Sequence, residues 1–507
     1  MDANDTYEQL TRYVRKTKML GSINALLEWD QQTMMPQTGA NYRSEQAKWL
    51  AGEIHQRETD PRIGEWLQLL QTSELATDPS SDAGSTIREL FHQYEKKRKI
   101  PLDLVQHQAM LHSRGQQVWI KARKENDYAS FAPTLKEIFH LKREEAQATS
   151  ISDCLYDSLL DDYEPGAKTA DVRQALEQLR DGLVPLIAVA KENQPRGNAT
   201  ALESPRFPAS QQKAFAKIAT SLIGFDYERG RLDTAAHPFC TEIGPDDCRI
   251  TTRYDEQNFS SAFFGCLHEA GHGMYEQGLR AEMYGLPPGR YCSLGIHESQ
   301  SRLWENLVGR SKGFWTHFLP IAKQHFPGCF EGMSDVDMYW SVNRIRPSLI
   351  RVEADEITYN LHIIIRFELE QALLQDELSV ADLPAAWNKK YSDYLDITPP
   401  NDRDGVLQDI HWSAGLVGYF PTYALGNIFA SMLFQTANSE LGCQEGNFEK
   451  GRYSDLLKWL QNNVYQRGNQ LRSDKLMKKI TGSVIDHSPL IKHLTHKTQA
   501  VYSPIES

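Results

Sequence analysis

Amphipathic helical periodicity runs through most of this 507-residue chain. In Tyr7–Leu20, Arg43–Gln56, Ile87–Arg98, Leu102–Ala122 and Val172–Lys191 apolar residues recur three and four apart. That spacing lines one face of an α-helix. Strand-like alternation is confined to about 247–254, Asp247-Cys248-Arg249-Ile250-Thr251-Thr252-Arg253-Tyr254, with room for one neighbouring strand. The chain is therefore predicted to be mainly α, one domain over 1–507. The stretch 192–211, rich in Pro, Gly, Asn and Ser, reads as a loop. It divides a helical N-terminal half (about 1–200) from a second half (about 210–507). A helical first half suits a wall or lid over a deep cleft.

Charge and composition narrow the function classes. With 55 basic and 67 acidic residues the formal net charge is −12, which argues against nucleic acid as a partner. No run approaches the 18 apolar residues of a membrane span. The start, Met1-Asp2-Ala3-Asn4-Asp5, is acidic and lacks the pattern of a secretory leader. Seven cysteines at irregular spacings do not form a disulfide framework. A cytoplasmic protein is expected.

The sharpest chemical signal is His268-Glu269-Ala270-Gly271-His272. Residues four apart share a helix face, so both imidazoles can address one metal ion while Glu269 serves as general base. This HExxH pattern is the core of a zinc hydrolase. Gly271 and Gly273 weaken a helix interior by roughly 1 kcal/mol each, which makes sense where another element must approach closely. Cys266 faces away from the two histidines and reads as packing.

A catalytic zinc usually has three protein ligands. The best third candidate is Glu298, 26 positions after His272, on a second helix beyond the Pro-Pro-Gly loop at 287–289. His297 is a rival, and Glu276, one turn beyond His272, cannot easily curl back to the same ion. Glu305 lies two turns past Glu298, about 10 Å along an α-helix axis, and is set aside. His-His-Glu is the ligand set of the thermolysin-like metallopeptidases.

Two further segments look chemical. One, Ile350-Arg351-Val352-Glu353-Ala354-Asp355-Glu356, is predicted to begin a helix running through Arg366. The other, Gly405-Val406-Leu407-Gln408-Asp409-Ile410-His411-Trp412, precedes a run rich in Gly and aromatics. Taken singly, each is also consistent with a salt-bridged helix face or a core position.

Together these segments resemble the carboxypeptidase Taq family of metallocarboxypeptidases. The resemblance rests on His237-Pro238-Phe239, on DxRxT at Asp247, Arg249 and Thr251, and on HExxH at 268–272. It continues with HES at 297–299, IRxxAD at Ile350, Arg351, Ala354 and Asp355, and GxxQDxHW at Gly405, Gln408, Asp409, His411 and Trp412. It extends to Trp29-Asp30-Gln31, Met35-Pro36, Arg43-Ser44-Glu45-Gln46 and the Leu160–Gly166 segment.

The resemblance implies a helical body with a deep active-site cleft and a small sheet beside the HExxH helix, similar to neurolysin and angiotensin-converting-enzyme-like peptidases. It implies Zn2+, with Co2+ an alternative, bound by His268, His272 and Glu298, with Glu269 as base. It implies that His411 and Tyr423 stabilise an oxyanion. Arg351 is the leading candidate to grip the substrate carboxylate, with Arg249, Arg253, His237 and Asp409 as further substrate-binding candidates. Peptides with a free C-terminus are the implied substrates and a homodimer the implied assembly. A dipeptidyl carboxypeptidase or oligopeptidase of related helical architecture is the alternative function.

In related helical peptidases an acidic residue often follows the ligand glutamate by one turn. Here that position is Arg302, so Asp355 and Asp409 become the candidates to orient the ligand histidines.

Overall fold

A computed structural model describes residues 2–196, 202 and 206–502. The predicted helices all form, each within a longer one: Ala3–Thr33, Ala40–Glu58, Asp82–Lys99, Leu102–Glu125 and Thr169–Glu192. Much of the loop expected at 192–211, residues 197–201 and 203–205, lies outside the described residues. A helix, Ala209–Ile223, begins before its expected end.

One switch between compact units falls at 197/198, within the predicted loop, but each unit is gathered from three stretches of chain rather than from one half. One compact unit comprises Met1–Arg98, Asn198–Val342 and Leu433–Gly482, and the other Lys99–Gly197, Asn343–Met432 and Ser483–Ser507. The first 98 residues thus pack with the HExxH segment. The physical reason lies in Arg43 and Trp29. Arg43 ties the first two helices together by pairing with Asp30 at 2.6 Å, and Trp29 is the platform on which Arg249 stacks at 4.2 Å.

The first unit holds one three-stranded sheet, β1 (Gly230–Thr234), β2 (Cys240–Gly244) and β3 (Asp247–Thr252), in the order β1-β3-β2. β1 runs parallel to β3 and β2 antiparallel to it. The predicted strand is β3, and it has two partners rather than one. Ile250, fully buried, faces the HExxH helix, Phe259–Gly278. The other side of that helix is seated in an aromatic cluster in which Phe259 stacks on Phe263 and both meet Phe215. Burying each such ring contributes roughly 1.5–3 kcal/mol, which fixes the helix that carries the histidines.

In the second unit the segment predicted to begin a helix at Ile350 instead makes a single 3-10 turn, Arg351–Glu353. The helix starts at Glu356 and runs to Leu374. Asp355 is the reason: its carboxylate accepts from the Ile357 and Thr358 amides at 2.9 and 3.0 Å, an N-cap that sets the boundary.

Candidate metal centre

His268 and His272 lie one turn apart on the HExxH helix. Glu298 comes from the next helix, Leu294–Arg302, which Ser293 caps by accepting from the Ile296 amide. Gly271 allows the two helices to meet. A Cβ there would sit 2.6 Å from the Gln300 carbonyl oxygen and from Ser301 Cα. At Gly273 a Cβ would strike the Phe225 ring at the same distance. Both glycines therefore mark close approaches, as their positions between and beside the histidines suggested.

The three donor groups converge. Their ligand atoms all lie within 4.8 Å of one another. Glu298 Oε2 is 3.6 Å from His268 Nε2 and 3.4 Å from His272 Nε2, longer than ordinary N–H···O bonds. Ligands 2.0–2.2 Å from a tetrahedral ion stand about 3.3–3.6 Å apart, so the donor set fits a divalent metal in spacing. It fits in chemistry as well. His268 Nδ1 meets Glu305 Oε2 at 2.9 Å, which places the ring proton on that side and leaves the Nε2 lone pair facing Glu298. Burial pushes His272 down to about 3, aided by His297, so its ring is neutral at neutral pH.

The Glu298 carboxylate is divided between two tasks. Oε1 accepts from Arg302 Nε at 2.6 Å, and Oε2, which also accepts from Ser301 Oγ at 3.1 Å, is turned to the histidines. Burial opposes its ionisation, yet Arg302 and the histidines hold it well below the usual carboxylate range. Glu269 is buried beside this cluster, and burial raises its carboxyl to about 7.

One expectation about the surroundings is corrected. The residue orienting His268 is Glu305, not Asp355 or Asp409. Glu305 lies in the π-helical stretch Leu303–Val308 and, while it is not among the three donors, it reaches across to the ring of His268 on the other helix; such segments concentrate at functional sites. Burial opposes the ionisation of Glu305, but Arg302 and His268 bring it down to about 2. His297 is not drawn into the donor set, because its Nε2 meets Glu276 Oε1 at 2.9 Å. Cys266 is fully buried in packing.

The other sequence candidates fall into separate surroundings. Arg249 makes a two-point pair with Asp247 at 2.7 and 2.8 Å. Arg253 and His237 are exposed.

In the second unit Arg351 is buried. It donates from Nε and Nη2 to Asp409 Oδ1 at 3.0 and 2.9 Å, and from Nη1 to Tyr359 at 3.2 Å. Asp409 Oδ2 accepts from Arg366 at 2.6 Å. The Arg351 guanidinium therefore already holds a carboxylate within its own unit and is not a vacant fork. Sequence reading missed Arg366, fully buried in the middle of an apolar run. His411 Nε2 lies 3.4 Å from the Tyr423 hydroxyl, while its buried Nδ1 has no hydrogen-bond partner among the described residues. Burial lowers His411 to about 4 against the pull of Asp409, so the ring is neutral near pH 7.

Comparison with known proteins points to a single family of metallopeptidases. The family model described as carboxypeptidase Taq (M32) metallopeptidase matches residues 9–498. Thermostable carboxypeptidase 1 of Thermus thermophilus is 44% identical over 99% of this chain and 100% of its own length. Carboxypeptidase 1 of Bacillus subtilis is 36% identical, covering 94% and 95% respectively. The crystal structure of the M32 carboxypeptidase from Deinococcus radiodurans superposes with a TM-score of 0.94 at 36% identity, covering 98% of this chain and 99% of that one. The match runs almost from end to end, and the chain belongs to the carboxypeptidase Taq (M32) metallopeptidase family.

Proposed function

We propose that this metal-dependent carboxypeptidase releases single residues from the free C-terminus of peptides and unfolded chains with broad specificity, using a metal held by His268, His272 and Glu298. The observation that carries the reading is the convergence of two histidine nitrogens on one carboxylate oxygen beside a buried glutamate. A bound divalent metal supplies Lewis acidity, drawing charge from the scissile carbonyl and making a water acidic enough to attack near neutral pH.

The chain's own residues supply the rest. Glu269, buried and raised to about 7, is matched to take the proton of the attacking water and hand it to the leaving amine. Arg302 holds Glu298 Oε1 and so keeps Oε2 in place. For His411 and Tyr423 we propose oxyanion stabilisation. Both are hydrogen-bond donors, and His411 is held neutral. For Arg351 we propose recognition of the substrate's terminal carboxylate, shared with its pairing to Asp409, and for Asp409 the positioning of that fork. Arg249, Arg253 and His237 are proposed for the remainder of the peptide, on the family motifs.

Zinc is the proposed metal, with cobalt able to use the same ligands. A homodimer is proposed from the family resemblance, and a cytoplasmic location from cysteine usage.

The test is a time course on an N-blocked tetrapeptide read by mass spectrometry. Single residues leaving the C-terminus, with loss of activity in chelator and its return with zinc, are expected. Release of dipeptides or internal cleavage would favour the oligopeptidase alternative.

A further inference from the structure

The two ligand histidines are held in different ways. His268 has a carboxylate, Glu305, on the nitrogen that faces away from the site. The equivalent nitrogen of His272, Nδ1, is buried and has no hydrogen-bond partner among the described residues. Ligand histidines usually have such a partner to fix the ring. In its place a second imidazole lies flat against His272. The rings of His272 and His297 are stacked with centroids 4.3 Å apart and planes 16° from parallel.

His297 is itself locked. Its Nε2 donates to Glu276 Oε1 at 2.9 Å, and Tyr275 and Tyr291 pack on it with centroids 5.7 and 4.7 Å away. The stacked ring cannot swing without breaking that bond and those contacts.

We propose that His297 is a positioning residue for the metal ligand His272, acting through its ring face, with Glu276 as the anchor of that ring. This rests on the metal-centre reading above. The carboxylate of Glu276 accepts the His297 ring proton and so enriches the ring in electrons. An imidazole that donates its lone pair to a cation becomes electron-poor, and an electron-rich ring against its face is the complementary neighbour. The stack therefore restrains the ring and favours its ligating state. The pair spans one turn: Glu276 follows His272 by four residues on the same helix, and His297 directly precedes Glu298. One unit of structure thus sets two of the three ligands relative to each other.

The test is zinc affinity, measured by competition with a chromophoric chelator, on the full-length wild type and on H297L, H297F and E276Q. The visible spectrum of the cobalt-loaded proteins serves as a second readout. Circular dichroism and melting of each metal-free protein report folding. Loss of an outer partner of a ligand histidine costs about 10- to 100-fold in affinity, and H297L is expected to fall in that range with an altered cobalt spectrum. H297F keeps a ring face and is expected to restore most of the affinity and the wild-type spectrum. E276Q, which keeps a weaker acceptor, is expected to lie between.

H297L binding zinc as tightly as wild type, or H297F binding as weakly as H297L, overturns the proposal. Should H297L fail to fold, H297F decides: affinity near wild type supports the stack and a loss of tenfold or more overturns it. A wild-type chain that takes up no zinc is a different failure and sinks the metal centre itself.

Discussion

The His268–His272–Glu298 centre and the Arg351–Asp409–Arg366 cluster are both buried and both charged, yet they are built on opposite plans. In the second, each Asp409 oxygen receives guanidinium donors and the carboxylate is satisfied from within. In the first, two imidazole nitrogens and a carboxylate oxygen face one another at 3.4–3.6 Å, the spacing of ligands around one ion. Buried polar atoms normally find partners. A cluster that closes on itself needs nothing further to satisfy its charges, whereas one whose donors converge on a shared point calls for something the chain does not contain. The difference also separates the kinds of damage a mutation should do.

The largest effect should come from the open site. In E269Q a proton acceptor is replaced by an amide of the same shape, and kcat should fall by about 10²- to 10⁴-fold with metal content unchanged. Metal analysis of the purified variant beside its kinetics checks this, and retention of more than a tenth of the activity would remove Glu269 from the base role.

The closed cluster should fail through stability. D409A strands two buried guanidinium groups, and stripping one member from a buried ionic network costs about 3–5 kcal/mol. Urea unfolding measures it. An unchanged midpoint would mean that the two arginines find other partners.

Glu370 sharpens the contrast through pH. Burial raises its carboxyl to about 7, although Tyr156, Trp412 and the Gly418 amide all donate to it. A carboxyl whose folded value is raised binds a proton more readily when folded. Its contribution is full below the ordinary value near 4.5 and is lost as pH rises through 7, about 3 kcal/mol in all. Urea midpoints of wild type should therefore fall from pH 5 to pH 8 more steeply than those of E370Q. The comparison isolates this residue from Glu269, which shifts in the same direction, and a parallel pair of curves would contradict it.

The smallest effect is expected at the rim of the open site. E305Q weakens the partner of His268 Nδ1 and should reduce zinc affinity by about tenfold, read by chelator competition. Affinity equal to wild type would mean that Glu305 does not set the ring.

Much of this was legible in the residues. Helical periodicity located the helices, and HExxH with the HES glutamate located the three donors, because both signals depend on local spacing that the fold preserves. Gly271 and Gly273 announced a close approach, and the backbone of Gln300 and Ser301 and the ring of Phe225 provide it. What was not legible depends on departures from ideal geometry or on distant partners. An α-helical ruler keeps Glu305 out of the donor set, as the structure does, but says nothing of its reach to His268 on another helix. The pairing of Arg351 with Asp409 joins residues 58 apart in sequence, which no periodicity encodes. One unit boundary, at 197/198, falls in the predicted loop, whereas the joining of three stretches of chain into each unit depends on distant partners and was not legible.

That interleaving has a consequence for how the molecule comes into being on the ribosome. The HExxH helix is made well before Leu433–Gly482, which its unit still lacks at that point. The other unit waits for the helix Ser488–Tyr502, whose Lys497 pairs with Glu356 at 2.7 Å. Neither body can close until residues far downstream of its first segment have been made. Contacts so distant in sequence form slowly and leave apolar faces exposed meanwhile. Removing only the helix Ser488–Tyr502 should therefore damage a unit whose first segment, starting at Lys99, was made hundreds of residues earlier.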